Sequence, residues 1–414
     1  MYIKTILCLI LAVATCSAGF ASEWEVLFDG SSLDAFENPY DWGEITLAGD
    51  EIHLKANRKF FLCSRDTFSN FVFEAEVRLP EGKSNSGFML RASKSRNKVT
   101  GYQAEVDDSA RAWSGGLYGE GIGAWKFAPS KPNDSPSGQA FRTATRGSFD
   151  RFGWNKYRIE CNGDRIRIFV NDLLCTDYCD GEFAEGVVAL QHHGEDGQVY
   201  RFRNVRIKDT GTPSGFGSRT RVVFDEDFND LKIKDWRMTD PQAWKTEKMD
   251  GSGVLHLSAL SKYDPKVRSP KSILWFNEKG PDSFIFDAVV KSTEKSHAHR
   301  DVCIFFGLQD DEHFYYTHIA EVADPHAHSV FAVDGKPRKS IASRRNDGIA
   351  WGDVWHRLRV ERDAQSGAIR VYFDDLENPV IEASDKRFIG GGIGIGSFDN
   401  TALFDNLRLV EVLQ

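Results

Sequence analysis

The chain has no concentrated patch of positive charge: 52 lysines and arginines are outnumbered by 61 acidic residues, for a net charge of -9. Proteins that grip a phosphate backbone need such a patch, so nucleic acid is excluded as a partner, while neutral and cationic partners stay open. Cysteine is scarce, 7 in 414 residues, and no spacing matches a zinc pattern. Helical periodicity is nearly absent. No apolar run reaches the ~18 residues that a bilayer-spanning helix needs, which excludes a transmembrane protein of that kind. Gly-x-Ser-x-Gly and His-Glu-x-x-His do not occur, against an elbow esterase and a zincin. Nor does Glu-x-Asp-x-x-Glu, the strand that sets two carboxylates across a glycosidic bond in sandwich glucanases.

What the chain does have is a repeat. Trp154–Asp172 (WNKYRIECNGDRIRIFVND) is echoed by Trp355–Asp375 (WHRLRVERDAQSGAIRVYFDD), and FVFEAEV from Phe71 by FIFDAVV from Phe284. GVVALQHHGEDGQVYRFRNVRI from Gly186 matches GIGIGSFDNTALFDNLRL from Gly392. A period of roughly 200 residues is a duplicated domain rather than a solenoid unit. Short alternating runs, rich in β-branched and aromatic residues and separated by Gly, Asn and Asp turns, predict an all-β chain. Asn162-Gly163, Asn171-Asp172 and Gln365-Ser366-Gly367 supply positive-φ residues for hairpins. Each copy is expected to be a sandwich of two antiparallel sheets, over residues 22–209 and 219–414, joined by the Gly/Pro/Ser linker 210–218. One stretch, Gly119–Gly153, has little alternation and is expected to be a loop folded across the sheet around Trp125, Phe127 and Phe141.

Residues 1–21 hold Lys4, the run ILCLILAVA and small residues after it, the pattern of a secretory signal peptide. Export to the periplasm or the extracellular space is expected, with lipid anchoring at Cys16 as a lesser reading. Cys63, Cys161, Cys175, Cys179 and Cys303 would remain. Export allows a bridge among Cys161, Cys175 and Cys179, and five buried thiols is the alternative.

Because side chains alternate on a strand, Asn85, Gly87, Met89 and Arg91 should share one face, with Phe88 and Leu90 in the core. Gln103 and Glu105 pair in the same way, and so do Gln191 and His193. So many polar groups on one sheet are costly to bury unpaired, which points to a hydrated site, or else to a solvated outer face.

The segments VLFDGSSLDAF, NSGFMLR, GYQAEVDD, GGLYG, WNKYRI, IFVND, VALQHHG and FRNVRI, in this order over residues 23–209, resemble the 3-keto-disaccharide hydrolase domain family. The resemblance implies concanavalin A-like jelly rolls, hence two in tandem, and an exported enzyme cleaving 3-keto-glycosides. The family's Tyr-Glu-x-Gln is here Tyr102-Gln103-Ala104-Glu105, so acid and amide are exchanged and the acid's role is open. In such chemistry a base takes the C2 hydrogen made acidic by the C3 ketone, the C1 substituent leaves, and water can add. A base near neutrality works best, an ordinary His at ~6.5 being closer than a carboxylate at ~4.3. His193 is therefore the first candidate base and Glu105 the second, with Arg91 meeting the enolate charge. Asn85, Gln103, Gln191, Tyr102 and Tyr118 are candidate substrate contacts, with Trp113 as further stacking surface. Glu105, Gln191 and His193 could hold a divalent metal ion; no organic cofactor is expected. The partner would be a 3-keto-sugar or glycan, and the competing reading is a non-catalytic, lectin-like glycan binder.

The second copy, which resembles laminin-G-like jelly rolls, does not repeat these residues. Alignment sets Tyr316 and His318 opposite Gln103 and Glu105, and Ser397 and Asp399 opposite Gln191 and His193. Its own polar set comprises His297, His299, Arg300, Asp301, His318, His326 and His328. Asp301, His318, His326 and His328 form its candidate site, with an ion such as Zn²⁺ as ligand or loop-rim histidines as the bland alternative.

Overall fold

The computed structural model describes residues 23–127, 134–234 and 236–413. The expected leader and its Cys16 lie outside them. Four antiparallel sheets form two sandwiches: eight and seven strands from the first copy, nine and seven from the second. The turn residues act as read: Gly163, Asn171 and Asp172 all have positive φ, at 58°, 48° and 67°. The two seven-stranded sheets are duplicated strand for strand. In the first seven-stranded sheet the order is Ala124–Phe127, Leu117–Glu120, Lys98–Asp107, Asn85–Ser95, Val187–His192, Phe60–Ser64, Phe36–Glu37. In the second it is Lys339–Ser340, Ser329–Asp334, His313–Ala320, Asp301–Asp310, Gly391–Ser397, Ser272–Gly280, Arg237–Met238.

Period-two alternation builds the cores. Phe88, Leu90, Tyr102 and Ala104 point from the seven-stranded sheet onto Phe73, Ala75, Tyr157 and Phe202 of the eight-stranded one. The opposite face of the same strands carries the polar residues and, toward the other edge, a small apolar group of Phe61, Cys63, Met89, Ala92 and Ala189. The five cysteines among the described residues are buried free thiols, so no bridge forms among Cys161, Cys175 and Cys179. Their strands face them into packed interior, and burial pushes the Cys161 and Cys175 thiols up to about 11.

The described residues of 119–153 are not a loop folded across the sheet. Leu117–Glu120 and Ala124–Phe127 form a hairpin that extends the seven-stranded sheet, and Pro136–Ala144 is a helix. Ser135 caps that helix, its side chain accepting from the Gly138 N–H at 3.3 Å, and Pro136 occupies the first turn, where its missing N–H costs nothing.

The sandwiches meet along Leu173–Cys179, the edge strand of the first eight-stranded sheet. An unpaired edge is a liability, and here arginines of the second copy cover it. Arg357, Arg359 and Arg408 donate to the alternate carbonyls of Cys175, Asp177 and Cys179 at 2.8, 2.7 and 3.0 Å. Among the described residues no helix is long and apolar enough to cross a membrane.

Candidate functional site

On the outer face of the first seven-stranded sheet lies an open cavity of about 1070 Å³. Asn85, Gln103, Glu105, Tyr118, Gln191 and His193 all line it. Strand pairing explains the convergence. Gly87 opposes Glu105 and Met89 opposes Gln103, while Ala189 lies beside Met89, so the odd-numbered side chains of three adjacent strands rise together. Gly87 is required by crowding: a Cβ there would sit 2.6 Å from the Gln103 side chain.

Glu105 is the floor. It is 5% exposed, and its backbone is pinned by Gly115 and Gly116 and by the Tyr157 hydroxyl, which donates to its carbonyl at 2.9 Å. Its carboxylate accepts from Asn85 Nδ2 at 2.6 Å and Gln103 Nε2 at 2.9 Å. Gln191 Nε2 donates in turn to Gln103 Oε1 at 2.9 Å. Burial outweighs these donors and, with Asp107 nearby, pushes the Glu105 carboxyl up to about 7. A neutral Glu105 could reverse the amide chain, its O–H going to Gln103 Oε1 and Gln103 Nε2 to Gln191 Oε1, an oxygen that is buried and without a partner. The floor therefore accommodates either protonation state.

His193 stands at the rim, its side chain 47% exposed. Nδ1 lies 2.7 Å from Glu195 Oε1, and Tyr200 donates its hydroxyl to Glu195 Oε2 at 2.6 Å. The Glu195 carboxylate fixes the orientation of the ring, and in the neutral tautomer that donates from Nδ1 the other nitrogen, Nε2, is an acceptor, the arrangement of an oriented general base. Burial pushes the Glu195 carboxyl up, but the Tyr200 hydroxyl and then His193 outweigh it and hold the group below its ordinary range. One wall is aromatic: Trp125 lies edge-on to Trp113 at 4.8 Å and tilted against Tyr118 at 5.0 Å.

Two expected site residues are elsewhere. Arg91 is not on the cavity face. The strand bulges between Leu90 and Ser93, Arg91 takes φ 47°, and Ala92 inherits the outer face. Its guanidinium instead donates to the carbonyls of Ser69, Gly163 and Phe183 at 2.7, 2.7 and 3.3 Å, which makes it a strut between loops. Tyr102 alternates with Gln103 and so faces the core; its hydroxyl donates to Asp180 Oδ1 at 2.8 Å. Neither touches the cavity. The metal set fares differently: Glu105, Gln191 and His193 border one cavity, but both Glu105 oxygens are taken by amide N–H groups. Among the described residues no three His, Cys, Asp or Glu side chains gather to hold an ion. This donor arrangement does not fit a resident divalent cation.

In the second copy, strand register assigns the counterparts. Cys303 pairs with Gly396, and Val302 with Ile319, so Asp301, Cys303, Tyr316 and His318 stand where Asn85, Gly87, Gln103 and Glu105 stand. Gly396 and Phe398, not Ser397 and Asp399, take the places of Gln191 and His193. The sequence alignment is one residue out of register here, which turns that strand over. The equivalent face is filled rather than open, by Trp275, Phe305, Phe314, Tyr316 and Phe331, with the Arg338 guanidinium 3.9 Å from the Phe398 ring centroid. His318 Nε2 comes within 3.6 Å of Asp301 Oδ2 inside it, and burial pushes the pair apart, His318 down to about 3 and Asp301 up to about 6. His326 is exposed and offers His318 only its carbonyl, while His328 bonds Asn346 at 2.5 Å. His297 and His299 are bound to Asn400 and Asp324 at the rim. The four candidates thus do not form one site.

Glu195 and the Arg142 side of the cavity escaped the sequence reading. The acid two residues after His193 was visible in HHGED, but only the turn that follows the strand brings it back to the ring.

Residues 23–208 match the family model of the 3-keto-alpha-glucoside-1,2-lyase-like domain. No curated protein sequence matches the chain. Among solved structures the chain is similar to the carbohydrate-binding module CBM66 from Bacillus subtilis, at 19% identity and a TM-score of 0.33, over 42% of this chain and 96% of that one. It is also similar to a protein of unknown function with a galectin-like fold from Bacillus subtilis, at 16% and 0.32, over 47% and 100%. The GH43 protein BlXynB from Bacillus licheniformis gives 9% and 0.36, over 89% and 64%.

Proposed function

We propose that this carbohydrate-active protein cleaves 3-keto-glycosides in the cavity of its first sandwich. The reading is carried by one observation: a buried carboxyl near neutrality at the floor and a carboxylate-oriented imidazole at the rim border the same cavity. Two titratable groups in such unlike environments suit opposite roles. His193 Nε2 takes the C2 proton, whose acidity comes from the adjacent C3 ketone. The C2–H electron pair moves into the C2–C3 bond as charge builds on the C3 oxygen. Return of that pair forms the C1=C2 double bond as the C1–O bond breaks. Glu105, neutral below about pH 7, turns its O–H away from Gln103 Oε1 and gives the proton to the departing oxygen. Water adding across C1=C2 completes a net hydrolysis, and release of the enone makes the outcome a lyase reaction. Trp125 and Tyr118 offer ring faces to a sugar. The leader-like residues 1–21 support an exported protein.

Incubation of the full chain with a 3-keto-glucoside carrying a chromogenic aglycone, with and without chelator, tests this. Release is expected in both conditions, falling by about 10²–10⁴ in His193→Ala, the span of general-base catalysis. No release in either condition, with glycan binding retained, overturns it in favour of the lectin-like reading. Release only without chelator would restore the metal role.

A further inference from the structure

The helix Pro136–Ala144 belongs to the first copy in sequence, yet the second copy holds it. Nine residues are too few for a helix to persist on its own, so packing decides where it sits. Phe141 enters the first core. Ala140, fully buried, packs instead with Val254, Val289, Trp355 and Leu403 of the second sandwich. On the exposed side Gln139 Nε2 donates to Asp250 Oδ2 at 3.0 Å, and Trp355 Nε1 donates to the same oxygen at 3.3 Å. Asp250 thus ties the helix to the indole beneath it. One residue from Phe141 and three from Gln139, Arg142 lines the cavity that contains Glu105 and His193. Arg142 also lines an adjoining groove of about 640 Å³ that reaches Val354 of the second sandwich.

We propose that the second sandwich builds one wall of the first sandwich's site: Asp250 is a positioning residue that fixes the helix so that Arg142 contacts hydroxyl groups of the bound glycoside. The second copy then needs no ligand of its own, in keeping with its filled sheet face. The ligand class rests on the reading given under Proposed function; the docking of the helix does not. Registration of the wall is a binding effect, since neither Asp250 nor the helix backbone touches the proposed reacting groups.

The test uses the full chain and Asp250→Gly. Asp250 has φ 51° in the tight Asp250-Gly251 turn, so glycine deletes the carboxylate without straining the backbone. Amide exchange across 136–144 should rise about fivefold, and KM for a 3-keto-glucoside should rise by a similar factor with kcat nearly unchanged, as expected of one lost hydrogen bond. Arg142→Ala should raise KM as well, and the double variant should be no worse than Arg142→Ala alone, because Asp250 acts through Arg142. Unchanged exchange in Asp250→Gly, or KM increases that multiply in the double variant, overturns the proposal. If no 3-keto-glucoside is turned over, the enzymatic reading falls, while helix exchange and calorimetric affinity for the same sugar still decide this one.

Discussion

Glu105 shows how a single carboxyl ties stability to function. Its ordinary value of 4.5 is raised to about 7, so the folded protein holds this proton more tightly than the unfolded chain. The contribution is fully favourable below about pH 4.5 and declines as pH rises to about 7, by on the order of 3 kcal/mol in all. Glu105→Gln removes that decline. Urea unfolding at pH 5 and pH 8 should show the variant gaining on the parent between the two, while aglycone release is lost; a parallel loss in both proteins would remove Glu105 as the group responsible. Arg91 makes the opposite case. Its three carbonyl bonds serve the fold, so Arg91→Ala should cost at least ~3 kcal/mol, read as a lowered Tm, with kcat of the folded fraction intact. A selective loss of kcat at unchanged Tm would return it to the reaction.

Strands were legible where alternation ran unbroken. The Lys98–Asp107 strand set Gln103 and Glu105 on one face and Tyr102 on the other, and the structure keeps that division. Alternation fails at a bulge, which no local composition announces, and so period two alone puts Arg91 on the wrong side. It fails again where glycine dominates a strand: in GGIGIGS few side chains fix the register, and the second copy's counterparts shifted by one. The helix Pro136–Ala144 had a start signal in Ser135-Pro136, but its polar, short sequence gives no periodic stripe, and its buried partners lie over 100 residues away. The same geometry makes a strand-level prediction. Gly87→Ala inserts a Cβ 2.6 Å from the Gln103 side chain, which must shift and release its hold on Glu105. Activity should fall several-fold with a stability cost of about 1–3 kcal/mol, the usual range for overpacking. Full activity would show that the Gln103 to Glu105 bond is dispensable.

Over the whole molecule, the duplicated jelly rolls are joined by buried charge as much as by apolar packing. Asp177 of the first sandwich is bidentate with Arg165 at 2.8 and 2.6 Å and also lies 3.1 Å from Arg359 of the second. Arg359 continues to Asp287 at 2.7 Å, and Arg165 crosses to Glu361 at 2.9 Å. Burial pushes the Asp177 carboxyl up, but Arg165 and Arg359 outweigh it and hold it at about 2. The stability this contributes is present above the ordinary carboxylate range and is lost as pH falls from about 4 through about 2. A network of this kind is worth little against an apolar substitute, yet removing one member strands the others in low dielectric, at about 3–5 kcal/mol. Arg359→Ala removes the cation that Asp177 and Asp287 share, leaves Asp177 to Arg165 and Arg167, and uncovers the Asp177 carbonyl on the edge strand. Both sandwiches should therefore melt in one calorimetric transition in the parent at pH 7 and in two in Arg359→Ala, the first at a lower temperature. Two separated transitions already present in the parent would show that the interface does not couple the unfolding of the two sandwiches.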